Sequence, residues 1–201
     1  MLNPPMGGAL LSVVIATHES ESALLATLAA LVPGAAAGIV REVLVADAGS
    51  GDATAAVADA AGCRVLISPG TRGARLKAAA AAARAAWLLF LQPGVVPDAT
   101  WIGEARRFME EAELQDRTGS RAAVFRPALG TSRSMFVEAL ALMRNALGAR
   151  PQASQGLLIG KRLYDQVGGH REAADEPERD LARRLGRRRL VMLRSGALLA
   201  H

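Results

Sequence analysis

Apolar residues in this chain fall into short unbroken runs separated by stretches of helical periodicity. The runs cover residues 10–16, 43–46, 63–67 and 87–91, and none alternates with polar positions. Short runs of this kind predict strands, and those at 43–46 and 10–16 read as buried ones, the β-branched 43–46 run on both faces. After the first, Leu24, Leu25, Leu28, Leu31 and Val32 recur at helical spacing. Ser20 is the expected cap of that helix, Glu21 sits in its first turn, and Pro33-Gly34 is the expected stop. A second helix is predicted from about Asp52 to Ala61, capped by Ser50 and closed by Gly62. A third follows a loop at residues 69–73 and runs from about Ala74 to Ala85, its alanines 78–83 allowing close approach to a sheet.

Strand–helix alternation with short connections implies right-handed crossovers and an α/β fold, a mainly parallel sheet with helices on both faces. Downstream, a helix is predicted over residues 97–113 from near Asp98, with Trp101, Ile102, Ala105 and Phe108 as its apolar stripe. A polar break at 115–120, a strand at 121–126 and a helix from Ser132 or Ser134 to Leu147 follow. The rest reads as a strand at 155–160, a short helix at 161–167 and a turn at Gly168-Gly169-His170. An acidic loop, a helix at 181–185 and a strand at 190–193 complete the chain.

At 201 residues and 51% hydrophobic, the chain suits a single domain, 1–201, with a real core. No apolar run approaches the ~18 residues of a membrane span, and the first residues lack the basic flank of a signal peptide. Cys63 is the lone cysteine, which argues against a disulfide framework or a cysteine metal site and for a cytoplasmic setting. The net charge of +5 rests on arginine, Lys77 and Lys161 being the only lysines. Such a balance favours phosphorylated or anionic partners, membrane headgroups included. Nucleic acid is disfavoured, since no aromatics interleave with the basic residues. Arg183, Arg184, Arg187, Arg188 and Arg189 read either as a solvated helix end or as a membrane-surface contact, and the apolar 135–147 helix as a surface for a homodimer.

Candidate chemistry begins at Asp47, which ends the second run and is followed by Gly49-Ser50-Gly51. Open α/β sheets collect ligands at the carboxyl ends of their strands. There an acid can accept from a ribose hydroxyl or a base N–H, or simply tie down its own turn. Neither a dinucleotide-binding glycine fingerprint nor a P-loop follows the first strand.

Residues 12–17, Ser-Val-Val-Ile-Ala-Thr, and 43–54, Val-Leu-Val-Ala-Asp-Ala-Gly-Ser-Gly-Asp-Ala-Thr, resemble the opening of family-2 glycosyltransferases with the GT-A fold. Residues 72–77 with the alanine helix resemble a small bacterial branch of that family. Residues 155–159 and 164–169 resemble its acceptor-side strand and helix, and residues 177–185 the stretch around its catalytic acid. The resemblance implies an inverting transfer of sugar from a nucleotide diphosphate sugar, of uridine type, to an unknown acceptor. Thr17, Glu19, Asp47, Gly49, Arg72, Lys77 and Gln92 would then line the nucleotide site, with Arg72 or Lys77 meeting phosphate. Glu178 would be the general base, with Asp180 and Glu176 as substitutes. The resemblance also implies a divalent metal, Mg or Mn, on the diphosphate. Where the family carries acids for it, this chain has Gln92-Pro93-Gly94; Ser154 and Pro177 likewise stand where acids are usual. These departures point to weak metal dependence, or to a catalytically silent member that binds nucleotide or a protein partner. A nucleotidyltransferase is disfavoured, because no Gly-rich basic loop follows Ile15.

Overall fold

Strand β1 (Leu11–Thr17) is buried from end to end, because layers of helix cover both of its faces. Its side chains divide by the two-residue period of a strand. Leu11, Val13 and Ile15 pack with α1 (Glu21–Ala36), α2 (Thr54–Ala60) and α4 (Trp101–Leu114), whereas Val14 and Ala16 pack with α3 (Arg72–Ala82). The computed structural model describes residues 10–114, 120–127 and 155–200. The predicted 132–147 helix with its homodimer surface, most of the polar break, Ser154 and His201 lie outside them.

One eight-stranded sheet runs through all the described strands, in the order β3-β2-β1-β4-β7-β6-β8-β5. β2 (Val40–Asp47), β3 (Arg64–Ile67) and β4 (Trp87–Leu91) are parallel to β1, as the alternation predicts. The second half is mixed. β7 (Leu157–Gly160) lies antiparallel to both β4 and β6 (Ala122–Pro127), and β8 (Leu190–Leu199) is parallel to β6 but antiparallel to β5 (Val95–Pro97). From β1 the chain steps outward to β2 and β3, then returns to place β4 on β1's other side. That reversal opens a crevice at the carboxyl ends of β1, β2 and β4.

Several boundaries differ from the sequence expectation, each for a local reason. α1 continues through Pro33 to Ala36, because near a helix end the missing proline N–H forgoes one bond and Pro33 O still accepts from Ala37 N. Ser20 occupies the N-cap position of α1 as expected, but its side chain makes no cap bond and its hydroxyl donates instead to His18 O. Ser50 does not cap α2 either, and Asp52 instead accepts from both the amide and the hydroxyl of Thr54. α3 starts at Arg72, not at Ala74, because Thr71 is its cap: the Thr71 hydroxyl accepts from Ala74 N at 3.2 Å. α4 starts at Trp101, Asp98 being spent on Thr100 and Gly196 N. After α5 (Lys161–Gln166), α6 (Pro177–Leu185) takes in most of what read as the end of the acidic loop, with Pro177 suited to a first turn. β5 is too short to show in a hydrophobic pattern, and β8 runs six residues past Leu193 as its partner.

Candidate functional site

The turns after β1 and β2 are laced together by side chains. Thr17, buried at the last position of β1, donates its hydroxyl to Asp47 Oδ1 at 2.8 Å. Ser50 donates its hydroxyl to the same oxygen, while the amides of Gly49 and Ser50 donate to Oδ2 at 2.9 and 2.7 Å. Gly49 needs its positive φ of 90° to bring those amides round. Glu19, the one described non-glycine residue in the left-handed region (φ 46°), bridges the two turns. Its amide donates to Ser50 Oγ and its carboxylate accepts from Gly51 N. Ser20 N donates to Thr54 Oγ1, and Glu21 N to Asp52 Oδ2. Asp47 is thus buried with about four lone-pair sites all engaged. Burial raises its pKa, but the bonds from Ser50, Thr17 and Gly49 outweigh burial and hold the carboxyl below its ordinary value.

Across the crevice, Arg72 in the first turn of α3 reaches Glu178 in the first turn of α6, a partner 106 residues away. Its Nε and one terminal nitrogen stand 2.7 and 2.6 Å from Glu178 Oε1, and its other terminal nitrogen donates to Ala16 O at 3.4 Å. Glu178 is largely buried, its side chain 14% exposed. Burial raises its pKa, yet the charge and hydrogen bond of Arg72 prevail and leave the carboxyl below its usual range. Glu178 is therefore an anion at neutral pH, but one whose proton affinity Arg72 suppresses.

Close to this pair lies a packed cluster of rings. His170 is fully buried, with Phe90 edge-on at 4.7 Å and Tyr164 stacked on Phe90 at 5.2 Å. The Tyr164 hydroxyl accepts from the His170 amide and shares a hydrogen bond of 3.0 Å with its Nδ1, whose direction follows the imidazole tautomer. Burial pushes the imidazole down to about 4; the nearby carboxylates of Glu178 and Asp180 oppose this, and Arg184 and Arg72 reinforce it.

The structure brings Thr17, Glu19, Asp47, Gly49, Arg72 and Glu178 to one rim. Lys77 and Asp180 are engaged elsewhere, whereas Gln92 directly follows β4, just past the Ile15–Leu91 pair. Lys77 is exposed on α3 and pairs with Glu172 at 3.4 Å. Asp180 is bonded to Arg183 and Arg184 at 2.9 and 2.8 Å. Arg184 also donates to Val167 O and Gly169 O, so one of the five arginines read as a surface cluster ties α6 to the Gly168-Gly169 turn, while Arg183 stays exposed. Gln92 is half-buried, and its carbonyl accepts from Val95 N and Thr27 Oγ1. Among the described residues no group of three or more His, Cys, Asp or Glu side chains could hold a metal ion. His170, Tyr164 and Arg75 escaped the sequence reading. Arg75 had a signal, since it sits three positions after Arg72 on the same helix face.

The model of a family described as Glycosyl transferase family 2 matches residues 12–176. Among solved structures, the chain is similar to glucosyl-3-phosphoglycerate synthase from Mycobacterium tuberculosis in complex with Mn2+, UDP and glucosyl-3-phosphoglycerate. That likeness has a TM-score of 0.68 at 21% identity and covers 96% of this chain and 73% of that one. It is also similar to S. aureus TarS 1-349 in complex with UDP-GlcNAc, with a TM-score of 0.68 at 18% identity, over 96% of this chain and 58% of that one. At such identities the likeness establishes the GT-A-like architecture of the sheet. No curated protein matches the sequence.

Proposed function

The chain belongs to glycosyl transferase family 2, and on that premise we propose that it moves a sugar from a uridine diphosphate sugar to an acceptor hydroxyl with inversion. The observation that carries this reading is the Arg72–Glu178 pair beside the carboxyl ends of β1 and β2. It sets a cation for the donor's phosphates next to a base for the acceptor. Glu178 takes the proton of the acceptor hydroxyl. The freed oxygen bonds to the anomeric carbon as the bond from that carbon to the diphosphate breaks, its electron pair leaving on the phosphate oxygen. Attack from the face opposite the leaving group inverts the centre. Thr17 and Asp47 act as positioning residues. With its lone pairs engaged, Asp47 fixes the Gly49–Gly51 turn against which a nucleoside would rest.

Both solved relatives carry uridine nucleotides, and the synthase also carries Mn2+. The donor set here does not fit a divalent ion. β4 ends in a neutral amide, and the nearest acid along the chain, Asp98, is engaged with Thr100 and Gly196. Hard divalent cations require several oxygen ligands, usually anionic. The same lack of acids favours the alternative, a silent member that binds nucleotide without turnover. The two readings separate on sugar release from uridine diphosphate sugars. Turnover that falls by about a hundredfold or more in Glu178→Gln is expected of the enzyme. Uridine diphosphate binding with no turnover in the unaltered chain identifies the silent binder.

A further inference from the structure

Among the described residues Arg75 has no ion-pair partner. It lies on α3 one turn after Arg72 and is only 8% exposed. One terminal nitrogen donates to Gly70 O at 2.6 Å, which folds the guanidinium back toward the start of α3. Its Nε is buried and has no hydrogen-bond partner. Among the described residues no carboxylate lies within ion-pair reach of it, since Arg72 holds Glu178 and the lone pairs of Asp47 are bonded to Thr17, Gly49 and Ser50. Burial and the neighbouring charge of Arg72 lower its pKa, and Asp47 opposes them from nearby. A buried cation costs free energy unless an anion and hydrogen bonds compensate it. Here two guanidiniums neighbour each other and only Arg72 has a carboxylate within ion-pair reach, at the first turns of a helix whose free amides also favour negative charge.

We propose that Arg75, with Arg72 beside it, is an anion site for the donor's diphosphate, taking over the charge neutralisation for which the described residues offer no metal-holding group of acids. This rests on the transferase reading for the identity of the ligand, but the site itself is a claim about a pyrophosphate group. Arg72 can rotate from Glu178 to a phosphate, being partly exposed. Arg75 cannot leave, so it would fix where the diphosphate sits. Its planar fork suits two phosphate oxygens at once. On leaving, the diphosphate would keep its charge against two cations held by the protein, so nucleotide affinity would not depend on a divalent ion.

The test is titration calorimetry on the full chain with uridine diphosphate, uridine and inorganic pyrophosphate, each in EDTA and in Mn2+. Uridine diphosphate and pyrophosphate are expected to bind in EDTA, with Mn2+ changing either affinity by less than about threefold. Arg75→Gln should weaken both by about tenfold or more, the loss of one charge-assisted contact, and leave uridine within about twofold. Mn2+ tightening uridine diphosphate by more than about tenfold overturns the inference. So does Arg75→Gln leaving it unchanged, an equal loss for uridine, or a wild-type chain that ignores pyrophosphate. If Arg75→Gln does not fold, Arg75→Lys is read instead: it keeps the charge, loses the fork, and should cost about threefold or more. Its binding like wild type counts against the site. Pyrophosphate bound through Arg75 with no gain from the nucleoside and no turnover sinks the transferase reading alone. Turnover with an indifferent Arg75 sinks this inference alone.

Discussion

At the scale of single residues the site is governed by which buried groups find partners. His170 shows this through pH. In an unfolded chain an imidazole titrates near ~6.5, whereas in the fold burial pushes it down to about 4. Between those values the unfolded state binds the extra proton, so stability rises with pH and is lost as pH falls through the window. From pH 7 to pH 5 the loss amounts to about 2 kcal/mol. Glu178, also lowered, acts in the same direction but only below the ordinary carboxylate range. Urea unfolding of His170→Phe should therefore show a smaller drop from pH 7 to pH 5, under about 0.5 kcal/mol. The Tyr164 hydroxyl it strands would cost the same at both pH values. If both proteins drop equally, the window belongs to other groups. None of this was legible in the sequence, where His170 read only as the end of a glycine turn. What buries it is the meeting of Phe90 from β4 with Tyr164 from α5, a contact across the fold that no local pattern encodes.

At the scale of elements, hydrophobic runs locate the first four strands well, although β3 forms the edge of the sheet and is not buried. β4 matches its apolar run residue for residue, and β1 and β3 agree with theirs to within one residue at either end. The helix starts were less legible, because Ser and Thr have other uses near a ligand rim. Ser50 and Ser20 look like caps but serve the two laced turns, while Thr71 caps α3 unnoticed beside Pro69-Gly70. Small residues were read for conformation when what matters is space. Gly34 reads as a helix stop, yet it lies inside α1, where an added Cβ would stand 2.5 Å from the Trp101 ring. Helix propensity alone makes Gly34→Ala stabilising by about 1 kcal/mol. The overlap with a fully buried indole reverses the sign, since overpacking costs about 1–3 kcal/mol. Thermal unfolding should show Gly34→Ala destabilised, and a rise in melting temperature would mean that Trp101 yields freely. Gly73 is tighter still: a Cβ there would meet Arg171 O at 2.1 Å. Gly73→Ala must push the 171–172 segment off α3 and should loosen the Thr71 hydroxyl from Glu172 O.

For the whole molecule, the sheet order decides which distant residues meet. α3 precedes β4 and α6 precedes β8, on opposite sides of the antiparallel β7–β6 insertion. Yet α3 and α6 pack on the same face as Val14, Ala16 and Leu44. Their first turns therefore converge, and Arg72 meets Glu178 although the sequence had assigned them to different ligands. That meeting couples the two halves of the proposed reaction. While Arg72 holds Glu178, the carboxylate is a weak base and the guanidinium is half-occupied. A diphosphate that draws Arg72 away raises the proton affinity of Glu178 as it arrives, so the donor prepares the base for the acceptor. Removing the carboxylate's charge should then separate binding from chemistry. Glu178→Gln releases Arg72 to the nucleotide, and uridine diphosphate should bind about threefold or more tighter than to wild type, the order of one weakened ion pair. Transfer should meanwhile fall by about a hundredfold or more. The affinity gain must also vanish in Glu178→Gln/Arg72→Met, because nothing is left to release. If the single variant binds nucleotide more weakly instead, Glu178 supports the site by holding Arg72 in place rather than competing for it. The coupling between donor and base would then have to run through some other contact.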